Sequence, residues 1–178
     1  YRDLDRVTAR RLGRGGLTGG YAYEDGAAGT FAAARARGLA TFYDQPIGYW
    51  RTARRILTEE AERQPEWAST SVGNRDSVAK TERKDEELRH ADVVFAATSF
   101  TRFTLQDHPG FAAPVHVLPY GAPAVAANAQ RSAYAAPGHP LRVLYVGSLG
   151  QRKGISYLFA AAKLVGRSIT LTVIGTKP

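Results

Sequence analysis

Neither cysteine nor methionine occurs among the 178 residues. Without a thiol the chain has no disulfide, no thiolate-held metal and no cysteine nucleophile. The four histidines, His90, His108, His116 and His139, share no metal-ligand spacing, so no metal site is expected. No apolar run approaches the ~18 residues of a membrane-spanning helix. Acidic residues are the scarcer sign of charge: 16 stand against 24 basic ones, a formal net charge of +8. That balance favours anionic partners such as nucleotide phosphate, acidic lipid or nucleic acid without choosing among them. The cations come as dispersed pairs, Arg10-Arg11, Arg54-Arg55, Arg83-Lys84 and Arg152-Lys153, and solvated surface is expected to hold most of the excess. The chain opens at Tyr1 and closes at Pro178 just after an apolar run. It is therefore expected to be an internal part of a longer protein, incomplete at both ends.

The most informative stretch is Leu141 to Gly154, LRVLYVGSLGQRKG. Leu141 to Val146 is apolar and β-branched with no polar period, as in a strand buried on both faces. A turn holding Gly147, Ser148, Gly150, Arg152 and Lys153 follows, and from Gly154 the rhythm becomes helical through Ile155, Leu158, Phe159 and Ala162. A second buried run, Ile169 to Ile174, completes a βαβ unit. Its first loop sets two cations and several backbone N–H groups at the C-terminal end of a strand, the edge where open parallel sheets bind ligands. Glycines that admit close approach, a helix start and paired cations suit a phosphate or diphosphate. The loop is neither GxxxxGK[ST] nor GxGxxG.

The earlier chain carries the same grammar. Leu4, Val7 and Leu12 form an apolar stripe at helical spacing. Leu17 to Tyr23 and Leu39 to Tyr43 read as strands around an Ala-rich helix, 26–37, with Gly38 at the left-handed closing position. Ile47, Trp50, Ala53, Leu57 and Ala61 mark a helix ending before Pro65. The charge-dense Val78 to His90 reads as the exposed faces of another. Ala91 to Ala97 and Val115 to Leu118 are further strands, and Thr98-Ser99 can cap the helix between them. The order strand, helix, strand predicts an α/β fold with parallel sheets. Residues 122–140 carry three prolines and few bulky aliphatics, which predicts a connector and hence two domains, 1–121 and 141–178.

Glu24, Asp25, Asp44, Thr98 and Ser99 fall just after predicted parallel strands, on the one sheet edge where a bound molecule would sit. Asp25 and Ser99 serve equally well as helix caps. Trp50 and Tyr120 offer rings for stacking on a sugar or base, and equally for packing.

VLYVGSLGQRKGISYLFAAAKL, preceded by VHVLPYGAP and ADVVFAATSFTRFTL, resembles the interdomain region of retaining glycosyltransferases of family 4. YAYEDGAAGTF and YDQPIGYWR look like segments of bacterial members. The resemblance implies the GT-B architecture, two Rossmann-like domains, of which this chain spans the later part of the first and the opening of the second. It implies that Lys153-Gly154 is the family's KG, with Arg152 beside it, contacting a donor diphosphate together with the Gly147–Gly154 turn. Ser148 stands where the family usually has Arg. Asp44 maps loosely onto a polar residue near the transferred sugar, and Ser99 onto the serine that follows the AD-containing strand. The family's glycine-rich first loop and its downstream pair of glutamates are not in this chain.

The implied activity is transfer of a sugar from a nucleotide-sugar to a hydroxyl acceptor with retention. Lys153 and Asp44 would be the catalytic residues, with no metal or other cofactor. Expected partners are the nucleotide-sugar, the acceptor and the rest of the polypeptide, in the cytoplasm, with peripheral contact at the inner face of a membrane left open and nucleic acid disfavoured. The 178 residues alone are expected to be catalytically silent. Two alternatives stay open: an α/β module that binds nucleic acid or an anionic surface, and a two-domain sugar-phosphate epimerase using His116.

Overall fold

The computed structural model describes residues 2–12, 15–71, 73, 76–124 and 138–177. Residues 125–137 of the expected connector lie outside the described residues. The chain divides into two compact units, Tyr1–Ala53 with Asp76–Gly121, and Arg54–Arg75 with Ala122–Pro178. Both are α/β with parallel sheets. Among the described residues no helix is long and apolar enough to cross a membrane.

The first unit runs α1 (Arg2–Arg11), β1 (Gly19–Tyr23), α2 (Ala28–Arg35), β2 (Ala40–Gln45), the start of α3 (Trp50–Arg63), α4 (Val78–Arg89), β3 (Val93–Ala96), α5 (Ser99–Thr104) and β4 (Val115–Val117). The strands pair side by side in chain order, all parallel, with Tyr43 opposite Ala22 and Val94. One sheet face carries the core: Phe31 from α2, Tyr43, Val94, Leu88 from α4, Tyr49 and Leu105. The other face shows Tyr21, Phe42, Phe95 and His116, with the Phe95 ring 6.4 Å from those of Tyr21 and Phe42 and 6.2 Å from that of His116. Gly38, three residues past α2, has φ +66°, and its amide and that of Leu39 close the helix by donating to the Arg35 and Ala34 carbonyls.

In the second unit, β5 (Leu141–Val146) and β6 (Ile169–Ile174) pair in parallel around α6 (Ile155–Val165). Contrary to the expectation of strands buried on both faces, neither has a buried residue, because this two-stranded sheet has α6 alone to pack against it. A 3-10 turn, Gln151–Lys153, leads into that helix. Gly154 between them has φ +69°, a conformation that an L side chain adopts only with strain.

Two helix faces differ from their sequence reading. Of the predicted apolar stripe, Leu4 and Val7 in α1 point outward, 66% and 45% exposed, while Leu12 just after the helix is buried, and Asp5 is the buried residue of the helix itself. The reason lies in α2, whose N-cap is Ala27 and lacks a side-chain acceptor. The Asp5 carboxylate takes its place, accepting hydrogen bonds from the Gly29 and Thr30 amides, both at 2.8 Å, and from the Thr30 hydroxyl at 2.7 Å. In α4 the run read as solvated instead buries Lys84, Asp85 and Glu87. Each finds opposite charge or hydrogen-bond donors inside, which is the condition for burying it.

Replacing Asp5 with Ala removes three hydrogen bonds at a helix start and is expected to cost about 2 to 3 kcal/mol in urea unfolding. Leu4→Ala on the same helix is expected to stay within about 0.5 kcal/mol. The reverse ranking would restore the apolar-stripe reading.

Candidate functional site

At the C-terminal edge of the first unit's sheet, the turn after β1 places Glu24 and Asp25 against α4. Glu24 is 6% exposed and Lys84 is 5% exposed. The Lys84 ammonium lies 3.4 Å from Glu24 Oε1, 3.0 Å from Asp76 Oδ2 and 3.9 Å from Asp25 Oδ1. Lys80, one turn earlier, reaches Asp76 at 2.8 Å and Asp25 at 3.2 Å. The fully buried Gln45, last residue of β2, donates through Nε2 to Glu24 Oε1 at 3.1 Å and to the Ile47 carbonyl at 2.9 Å. Asp25 holds φ +74°, with its amide and that of Ala27 each donating to the Glu87 carboxylate at 3.0 Å. Tyr43 donates its hydroxyl to the same carboxylate at 3.0 Å.

Burial drives the Glu24 carboxyl above the usual 4.5, only partly offset by Lys84 and Gln45. Burial does the same to Glu87 against two backbone amides and Tyr43. For Lys84, burial opposes the charge, and the carboxylates of Glu24, Asp76 and Asp25 overcome it and raise its pKa above 10.5. Below about pH 4.5 both Glu24 and Glu87 are protonated in folded and unfolded chains alike. As pH rises the unfolded chain ionises first, so the stability these two carboxyls contribute is greatest at low pH and is lost with rising pH.

Asp44 lies within β2 rather than just after it, and alternation turns it to the sheet face opposite Tyr43 and Gln45. There it accepts a hydrogen bond from the Tyr21 hydroxyl, which pushes the tyrosine up to about 12. Tyr23 is likewise raised to about 12, by burial and then by its hydrogen bond with Tyr120. Glu24 and Asp44 thus share a sheet edge without sharing a face. Thr98 caps α5, accepting the Thr101 amide at 3.0 Å, and Ser99 is an exposed first-turn residue. Asp25 caps no helix through its side chain.

Trp50 is committed to packing. Its indole donates to Asp85 at 2.6 Å and the Arg51 guanidinium stacks 4.3 Å above its ring. Arg51 and Tyr49 also donate to Asp85, and His108 Nε2 lies 3.0 Å from the Asp85 carbonyl. Burial works against the Asp85 charge, and the donors from Tyr49, Trp50 and Arg51 outweigh it, holding the carboxyl below 3.8. Two hollows of this unit lie away from the site. One of about 320 Å³ is at the strand-start edge, beside the 3.0 Å Arg35–Asp92 pair; the other, about 210 Å³, is bounded by Arg102, His108 and Phe111.

In the second unit the turn after β5 exposes Arg152 and Lys153 together. Its amides are mostly engaged. Gly147 and Leu149 donate to the Ile174 and Thr176 carbonyls at 3.0 and 2.9 Å, continuing the pairing with β6. Lys153 and Gly154 donate to the Gly150 and Gln151 carbonyls. Gln151, 3% exposed and unremarked in the sequence, fastens the turn. Its amide donates to Thr70 at 3.0 Å, its side chain donates to Glu60 at 2.6 Å, and its Oε1 accepts the Ser156 amide of α6 at 3.3 Å. The Ser148 carbonyl accepts the Tyr145 hydroxyl at 2.7 Å. The expected cradle of backbone donors is therefore largely occupied, and an anion here meets the two side-chain cations first. Among the described residues, no group of three or more His, Asp or Glu side chains is arranged to hold a metal ion.

No protein-family model, no curated protein and no solved structure matches the chain.

Lys84→Met leaves the buried Glu24 without its cation and Asp76 and Asp25 with Lys80 alone, and is expected to destabilise the fold by about 3 to 5 kcal/mol at pH 7. Urea midpoints measured at falling pH should show that deficit narrowing as Glu24 takes up a proton. For Asp85→Asn the expected loss is about 1.5 to 3 kcal/mol at pH 7. Because the native carboxyl titrates below 3.8, that loss should persist down to about pH 4 and fade below it.

Proposed function

We propose that this chain is part of a retaining glycosyltransferase of the GT-B type, the second unit holding the donor's diphosphate and the first unit receiving the hydroxyl acceptor. The observation that carries the reading is the pair Arg152 and Lys153, exposed on the turn between β5 and α6 at the C-terminal end of a parallel strand. Parallel pairing in both units and the family-like motifs from Ala91 to Leu164 support it.

In this reading Lys153 and Arg152 neutralise charge growing on the leaving diphosphate as the glycosidic bond to the donor breaks, which is preorganised electrostatic stabilisation. Gln151 keeps the turn in register through Glu60 and Thr70, so the cations need little reordering when the donor arrives. Gly154 supplies the left-handed joint that a side chain would strain. On the acceptor side, Glu24, Asp44 and Ser99 contribute polar groups to the sheet edge. Trp50, with both its N–H and its ring face engaged, leaves that set.

Calorimetric titration of UDP, GDP and their sugars into the protein, repeated with Lys153→Ala, tests the assignment. One nucleotide should bind, and the substitution should weaken it about 10- to 100-fold, the worth of a hydrogen bond to a charged group. No heat from any nucleotide, or equal affinity in the variant, would remove the role given to Lys153.

A further inference from the structure

The inward pinning of Asp5 fixes the register of everything else on α1. Arg2, Arg6 and Arg10 follow one another a turn apart in a single row, Val7 and Arg11 stand with Asp3 in the row beside it, and Leu4 flanks Val7 one row further round; all of these side chains are exposed. Asp3, the one acidic residue on this outer face, pairs with Arg6 at 3.7 Å. Four arginines against one aspartate leave a local excess of three positive charges.

Leu4 at 66% and Val7 at 45% exposure set a small apolar strip alongside these cations. A nucleic acid would engage the cations and gain nothing from Leu4 or Val7. A bilayer carrying acidic headgroups engages both, the arginines on phosphates and the apolar side chains in the boundary between headgroups and acyl chains. We propose that the outer face of α1 docks on an anionic lipid surface, as a reversible electrostatic contact with a small apolar component. The proposal stands independently of the transferase reading.

Co-sedimentation of the full chain with vesicles tests it, using phosphatidylcholine alone and an equal mixture of phosphatidylcholine and phosphatidylglycerol. Binding is expected to the mixed vesicles only and to fall steeply with salt. Arg6→Glu/Arg10→Glu should weaken it at least 25-fold, at about fivefold per arginine, and Leu4→Ser/Val7→Ser severalfold. Arg89→Glu/Arg167→Glu makes the same change in net charge at exposed positions elsewhere and should retain most of the binding. The variants alter exposed residues, and an unchanged urea midpoint verifies their folding. Equal binding to both vesicle types, no effect of the α1 charge reversals, an equal loss in the Arg89/Arg167 variant, or indifference to the Leu4/Val7 variant overturns the proposal. So does capture of an RNA duplex with no lipid bound.

Discussion

The first unit is organised by carboxylates that close the N-terminus of a helix to which they do not belong. The α2 helix begins at Ala28 after an alanine, so nothing local satisfies its first amides. Asp5 arrives from α1 and Glu87 from α4, and between them they accept from Ala27, Gly29 and Thr30. Negative charge at a helix start is favourable electrostatically as well as through the hydrogen bonds. Here it also joins three helices by their polar groups, because each carboxylate carries its own helix with it.

Much of the surrounding geometry follows. Glu87 accepts from the Tyr43 hydroxyl as well, so the start of α2, the middle of β2 and the end of α4 meet on one side chain. The Asp25 amide is drawn to that carboxylate, which accompanies its left-handed backbone and brings its side chain toward Lys80 and Lys84. With Lys84 so placed, Glu24 and Gln45 complete a buried polar cluster where a parallel α/β sheet offers its binding edge. The same constraint turns α1, sending its arginines and its two aliphatic residues to solvent.

Strands and their parallel order were legible because parallel strands leave unbroken apolar runs, as in Val93–Ala96 and Leu141–Val146, although the second of these is a strand without a buried residue. Gly38, Thr98 and Gly154 were legible because turn and cap chemistry is local. What escaped was polar and distant. Glu87 meets Ala27 from 60 positions away, Gln151 meets Glu60 across 91, and neither pairing has a spacing to detect. The charges of α4, Lys84 among them, therefore read as solvated. The sequence offered Asp25 as the cap of this helix, but α2 begins two residues later, at an Ala27 N-cap with no side-chain acceptor, and a helix without a cap of its own needs an acceptor from elsewhere. The strand end after Tyr43 was read two residues short for another reason. β2 runs on to Gln45, and alternation turns Gln45 to the face of Glu24 and Asp44 to the other.

The dependence of the first unit on borrowed caps is tested most directly by amide hydrogen exchange at Ala27, Gly29 and Thr30. If Glu87 and Asp5 hold these donors, the three amides should exchange only through the global unfolding of the unit, as slowly as the core strand amide of Val94. Rapid exchange at all three, at the rate of a frayed helix end while Val94 stays protected, would contradict the account.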